Sequence, residues 1–296
     1  MTEVEIDGRQ VRLSNLDKLM YPEAGFTKAQ VVDYYARIGP VMLPHLADRA
    51  VTMVRWPDGV EGGSFFEKRC PGHAPDWIRR TDFDPDLTQC VLNDLPSLVW
   101  AANMASLELH TLQARARKPD QPTAMVFDLD PGAPAGILDC CRVGLDLRDV
   151  LADLGLESVV KTSGSKGLHL AVPLNTTGVT ADETKEFALA LGQLLAKRDR
   201  KHVTTNMNKA ERKGKVFVDW SQNDRHKTTV CAYSLRARPR PTVSTPVTWD
   251  DVAATLDADD ADSLTFEAGE MLDRTDQLGD LYARNLEKKQ KLPKLG

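Results

Sequence analysis

No run of about 18 apolar residues occurs in the 296-residue chain, so no segment reads as a membrane-crossing helix. The first ten residues, MTEVEIDGRQ, lack the basic start and apolar stretch of a secretory signal. Together these absences predict a cytoplasmic protein with no membrane partner. Cysteine is scarce and odd in number: Cys70, Cys90, Cys140, Cys141 and Cys231 include no C-x-x-C pair. That pattern predicts reduced thiols rather than a disulfide framework. Cys70 and His73 have a spacing zinc could use, but no second pair follows at a suitable interval. There is no internal repeat and no Ser/Gly-rich linker. What is present is ordinary for a globular protein, 42% hydrophobic and 27% charged, in a chain long enough to bury a sizeable core.

A net charge of −5 by itself argues against a nucleic-acid partner, but its distribution argues otherwise. Residues 249–280 hold eleven Asp or Glu and a single basic residue, Arg274, which leaves the rest of the chain at +5. Basic residues gather at 197–215 (eight Lys or Arg against two acids), at 115–118, and at Arg236, Arg238 and Arg240. Attraction to phosphate is screened beyond roughly 10 Å, so local clusters count for more than the total. The acidic 249–280 stretch reads as a solvated helix face.

Apolar spacing and capping signals predict helices over 28–38 (capped by Thr27), 96–106, 137–154 and 180–197, the last opened by a Thr180/Glu183 capping box. Residues 107–111, 124–130, 159–161, 168–173 and 216–220 read as strands. Strands and helices intermingle, which predicts one α/β unit, of one or two lobes.

Asp128 and Asp130 end the apolar strand AMVF and, two residues apart, project from the same face. Paired carboxylates repel unless a cation neutralises them, and hard oxygen ligands suit Mg²⁺ or Mn²⁺. A turn capped by Asp130 explains this pair equally well, until Asp219 is counted. It follows a second apolar strand, VFV, and supplies the third carboxylate that two-metal phosphoryl transfer needs. Residues 162–169, TSGSKGLH, form the second element, with Gly164 and Gly167 allowing a tight turn. Its N–H groups, Ser163, Lys166 and His169 could then face an anion. The spacing is not that of a Walker P-loop, and a plain hairpin turn is the competing reading. His110, Gln222, Arg236, Phe65 and Phe66 are weaker signals taken singly.

As a set, FDLDPG at 127–132, TSGSKGLH at 162–169 and VFVDWSQN at 216–223 resemble the three motifs of archaeo-eukaryotic primase-type polymerases. More narrowly, they resemble the polymerase domain of bacterial ligase D and its stand-alone relatives associated with ligase C or ligase D, over residues 12–249. The resemblance implies an α/β (α+β) primase-like fold with mixed sheets flanked by helices. It implies one catalytic domain over residues 1–285, followed by a basic tail at 286–296. With no K-x-D-G ligase motif, the chain reads as a separately encoded primase-polymerase of the bacterial cytosol.

The roles the resemblance implies are these. Asp128, Asp130 and Asp219 hold two Mn²⁺ or Mg²⁺ ions. Ser163, Lys166, His169 and Arg236 contact the incoming triphosphate, with His110 and Gln222 close to the nucleotide. Phe65 and Phe66 stack on a base. Asn15, Lys18 and Lys28, within Ser14–Lys18, Tyr21-Pro22 and Thr27-Lys28, grip a DNA 5′-phosphate. The implied partners are gapped or broken DNA, nucleoside triphosphates (ribonucleotides preferred), a separate ATP-dependent ligase and Ku. Val54 departs from the pattern, where the family often has a basic residue before Arg55-Trp56. Two alternatives stand beside this reading: a haloacid-dehalogenase-like phosphatase, from D-x-D, and a non-catalytic DNA-end adaptor that recruits a ligase. Pro131 and the 162–169 element fit the phosphatase poorly, and the filled catalytic positions argue against the adaptor.

Overall fold

The computed structural model describes residues 2–84 and 86–294. Its contacts divide the chain into two units. The first comprises Met1–Arg117, Thr228–Ser244 and Phe266–Asp280, and the second Lys118–Lys227, Thr245–Thr265 and Leu281–Gly296. No helix among the described residues is long and apolar enough to cross a membrane.

In the first unit one sheet runs in the order Thr228–Val230, Ser106–Leu112, Val51–Arg55, Leu87–Val91, Arg79–Asp84, and Phe65–Glu67 also pairs with Val51–Arg55. The helix Lys28–Leu46 opens with a capping box, in which Gln30 accepts from the Thr27 N–H at 2.8 Å and Thr27 accepts in return. The sequence predicts its end near Ile38, yet it continues past Pro40 and Pro44. Val31, Tyr35, Ile38, Met42 and Leu46 are all buried at helical spacing. Each buried side chain of this size contributes about 1.5–3 kcal/mol, which offsets the roughly 3 kcal/mol that an interior proline costs. Tyr35 fastens the helix by donating to the Leu107 carbonyl at 2.8 Å. The second predicted helix spans Leu95–Asn103, with Asp94 as its cap.

Cys70 and Cys90 form a disulfide, with Cα atoms 4.8 Å apart. This corrects the expectation of five reduced thiols and removes Cys70 from any zinc site. The Cys70 N–H donates to the Thr88 carbonyl, so the loop lies along the Leu87–Val91 strand and brings the two sulfurs within bonding reach. Cys140, Cys141 and Cys231 are buried thiols.

The second unit carries a sheet in the order Val203–Thr204, Val216–Asp219, Ala124–Pro131, Leu168–Pro173, Val159–Thr162, Pro246–Val247. Only the first pair is parallel. Strand alternation sorts its residues by face. Leu129 stands opposite Leu168 and Val218 on one face. The helix Ile137–Asp153 lies against that face, where Gly144 lets it approach Leu129, Leu168 and Leu170. The helix Ala181–Arg198 meets Val218 at Gly192, also on that side. The Thr180/Glu183 capping box forms as expected.

The segment after residue 283 is anchored at least as far as Gln290. A short helix spans Arg284–Glu287, and buried Gln290 donates to the Pro173 and Glu157 carbonyls. The final two residues of the expected tail lie outside the described residues.

Candidate functional site

On the polar face of the second unit's sheet, four residues form one cross-strand row. Lys161 stands opposite His169, His169 opposite Asp128, and Asp128 opposite Asp219. Directly opposed residues share a face and bring their side chains close. Asp130, two residues beyond Asp128, shares that face and is exposed. His169 Nε2 is 3.2 Å from Asp128 Oδ1, and its Nδ1 is 3.1 Å from Lys161 Nζ. Asp219 accepts from the Ser221 N–H at 2.9 Å, the Ser221 hydroxyl at 2.5 Å and Gln222 Nε2 at 3.0 Å.

Negative charge is in surplus here. Burial and the neighbouring Asp128 raise Asp130 above its ordinary value; Arg212 and Lys166 pull it back, and Asp219 adds to the rise. The donor set fits a divalent cation in charge and in hardness. Among the described residues, no three His, Cys, Asp or Glu side chains converge as a finished cage. The fit therefore lies in opposed carboxylates with a charge to be relieved.

The TSGSKGLH segment is a hairpin turn between Val159–Thr162 and Leu168–Pro173. Gly164 takes a left-handed φ of 66°. At Gly167 an added Cβ would lie 2.0 Å from the Leu129 carbonyl oxygen, so only glycine fits. The sequence offers the turn's N–H groups to an anion. Here those of Ser165, Lys166 and Gly167 converge at 3.1–3.2 Å on Ser163 Oγ. Ser163 is buried as the organiser of the turn, while Lys166 is exposed.

Other predicted residues gather in the first unit. His110 Nε2 donates to Glu108 at 2.9 Å, Arg236 Nε lies 3.2 Å from the same carboxylate, and the Ala237 N–H donates to it at 3.0 Å. Burial pushes Glu108 up, but His110, Arg236 and the Ala237 amide together outweigh it and hold Glu108 at about 2. Phe65 and Phe66 are 44% and 65% exposed on a short strand. The Arg55 guanidinium covers Phe65 at 5.1 Å, and the Phe66 ring meets His110 edge-on. Neither phenylalanine is packed in the core.

Asn15, with a positive φ of 53°, and Lys18 lie in one turn, where Lys18 N–H donates to the Asn15 carbonyl. Lys18 Nζ reaches Asp58 at 2.7 Å. Lys28 is buried, and its ammonium donates to the Ser14 carbonyl at 2.8 Å. Burial, then the charges of Lys18 and Arg55, lower Lys28 to about 8. Positive charge is in surplus at this place.

Sequence reasoning missed Lys161 and Glu108. Each stands two places from, or directly across from, a singled-out histidine. The i±2 spacing from His110 points to Glu108, whereas Lys161 needs the strand register.

The family model described as "LigD, primase-polymerase domain" matches residues 27–282. The chain is 44% identical over 279 residues to the multifunctional non-homologous end joining protein LigD of Mycolicibacterium smegmatis, covering 93% of this chain and 36% of that protein. It is 30% identical over 247 residues to the bifunctional non-homologous end joining protein LigD of Bacillus subtilis, covering 83% and 40%. The polymerase domain from Mycobacterium tuberculosis ligase D, solved in complex with DNA, matches with a TM-score of 0.86 at 39% identity, covering 95% of this chain and 99% of that one. The mixed α/β primase-like fold expected from the motifs is the fold found. The chain spans a little over a third of the length of the curated relatives it matches. It belongs to the LigD primase-polymerase domain family.

Proposed function

We propose that this chain, as a member of that family, is a template-dependent nucleotidyltransferase that fills short gaps or broken ends in DNA during excision repair or end joining. The observation that carries the reading is the opposed pair Asp128 and Asp219 beside Asp130, whose raised pKa marks negative charge in want of a cation. In the reaction, the primer 3′-hydroxyl oxygen bonds to the α-phosphorus of a nucleoside triphosphate. The bond to the β-phosphate oxygen breaks, pyrophosphate leaves, and the hydroxyl proton passes to solvent. Two Mg²⁺ or Mn²⁺ ions, held by Asp128, Asp130 and Asp219, would supply charge stabilisation to the attacking and leaving oxygens.

The chain's own residues bind and orient. Ser163 holds the turn that presents Lys166, Lys166 and Arg236 offer donors to the triphosphate, and His169 stands against Asp128. His110 and Gln222 are assigned to the nucleotide, and exposed Phe65 and Phe66 to stacking on bases. The lowered pKa of Lys28 supports a 5′-phosphate site at Asn15, Lys18 and Lys28. A dianion would relieve the repulsion among Lys28, Lys18 and Arg55. Preference for ribonucleotides, and partnership with a separate ATP-dependent ligase and Ku, belong to the same proposal.

The test is extension across a short DNA gap with Mn²⁺, using ribo- or deoxynucleotides and a downstream end bearing 5′-phosphate or 5′-hydroxyl. Phosphate-dependent incorporation is the expected result. Equal extension on both ends would remove the Lys28 pocket and keep the polymerase. No extension despite DNA binding would sink the enzymatic reading.

A further inference from the structure

Each of the two opposed aspartates is tied to a lysine through one intervening side chain. On one side Lys161 Nζ lies 3.1 Å from His169 Nδ1, and His169 Nε2 lies 3.2 Å from Asp128 Oδ1. On the other, Lys227 Nζ donates to Ser221 Oγ, and Ser221 Oγ donates to Asp219 Oδ1 at 2.5 Å. Lys161, His169 and Ser221 are buried, at 3%, 6% and 6% exposure. The first relay lies along the cross-strand row; the second is built by the turn that follows the Val216–Asp219 strand.

The direction of each relay follows from its donors. With Lys161 as an ammonium, which has N–H donors and no acceptor, His169 Nδ1 accepts. That leaves the ring proton on Nε2, aimed at Asp128. A serine hydroxyl that accepts from Lys227 is likewise turned to give its own proton to Asp219. A lysine bonded directly to either aspartate would occupy oxygens that a cation needs and cancel the charge that attracts it. Placed one group back, it fixes the carboxylate's orientation and leaves that charge in place.

We propose that Lys161 and Lys227 are positioning residues that aim the carboxylates of Asp128 and Asp219 at a shared divalent cation, the first through His169 and the second through Ser221. This rests on the metal-holding role proposed above for the two aspartates. It makes an unusual demand: removing a positive charge near a cation site must weaken cation binding, whereas Coulomb's law alone requires it to strengthen.

The experiment is direct Mn²⁺ titration, followed by the electron paramagnetic resonance signal of the unbound ion. It compares the unsubstituted protein with Asp128→Ala, Lys161→Met, Lys161→Arg and Lys227→Met. The imidazole ¹⁵N spectrum of His169 is recorded alongside. Both Met variants should bind Mn²⁺ at least ~10-fold more weakly. Lys161→Met should shift His169 from the Nε2–H tautomer to a mixture, and Lys161→Arg, which keeps a donor, should recover most of both. In gap extension the loss should appear in the Mn²⁺ concentration required and not in the rate at saturating Mn²⁺. Unchanged or tighter binding in the Met variants overturns the proposal while the metal role stands. Undiminished binding by Asp128→Ala removes the metal role and the proposal with it. An Nδ1–H tautomer of His169 in the unsubstituted protein overturns the Lys161 relay. If Lys161→Met does not fold, the His169 tautomer in the unsubstituted protein decides the first relay, and Lys227→Met, at a half-buried position after a turn, decides the second.

Discussion

Glu108 in the first unit and Asp128 in the second are both strand carboxylates that lie against a histidine. Around Glu108 the charges balance: His110, Arg236 and the Ala237 amide all address it, and its pKa is held at about 2. Around Asp128 one strand neighbour is His169 and the others are acidic, Asp219 across the ladder and Asp130 two residues on. There it is Asp130 that moves, upward, through burial and the charge of Asp128. The same pair of residue types thus serves as a closed structural tie in one place and as an open, repelling cluster in the other. What separates the two is the count of carboxylates that share the cations, three against one, and not the histidine.

The sharpest way to break this comparison is to remove one carboxylate from each cluster. Asp128→Ala should lower gap-extension kcat/KM by roughly 100–1000-fold, since it removes charge that acts in the transition state. Its thermal stability should hardly fall, because the change relieves repulsion. Glu108→Gln should do the reverse in kind. It leaves the Arg236 guanidinium beside a neutral amide, and about 3 kcal/mol should be lost in urea unfolding at pH 7. Glu108's folded pKa lies below its ordinary 4.5, so its contribution is complete above about 4.5 and disappears as pH falls toward 2. The unfolding difference between the two proteins should shrink over that window. A difference that persists at pH 2 would show that Glu108 acts by packing rather than by charge.

Gly167→Ala would perturb the second unit alone. The added Cβ meets the carbonyl of Leu129, the residue between the two strand aspartates, and should push the hairpin off that strand. A loss of about 1–3 kcal/mol is expected, the usual scale for overpacking, with a raised KM for the nucleotide. A neutral Gly167→Ala would mean that the strand and hairpin part freely.

Local chemistry made much of this legible. The D-x-D face, the strand ending at Asp219, the Thr27 and Thr180 caps and the glycines of the hairpin all follow from spacings of two to four residues. What stayed hidden was register. Nothing near Lys161 in the sequence says that it faces His169, because that pairing is set by which strands lie side by side. The Cys70–Cys90 bond was concealed for the same reason, as two cysteines 20 residues apart met through a loop lying on a strand. The continuation of the first helix past Ile38, through Pro40 and Pro44, was missed because local propensity yielded to a buried face that continues to Leu46. The turn amides pointed at Ser163 because a buried hydroxyl was within their reach.

The smallest expected effect sharpens the comparison most. Asp130 has its folded pKa raised above the ordinary 3.8, so at neutral pH its ionised form is disfavoured in the folded state. As pH rises from about 3.8, the unfolded chain releases this proton first, and stability is lost until the folded group has ionised too. Asp130→Asn removes that penalty. Without metal, the variant should melt at most a few degrees higher than the unsubstituted protein at pH 7, and the gap should close at pH 3. Added Mn²⁺ should raise the melting temperature of the unsubstituted protein more than that of Asp130→Asn, because only the former has the full repulsion for a cation to relieve. Scanning calorimetry with and without Mn²⁺ measures all four values. If Asp130→Asn melts lower and Mn²⁺ shifts neither protein, the acidic cluster is no more open than the one at Glu108, and the contrast between the two units fails.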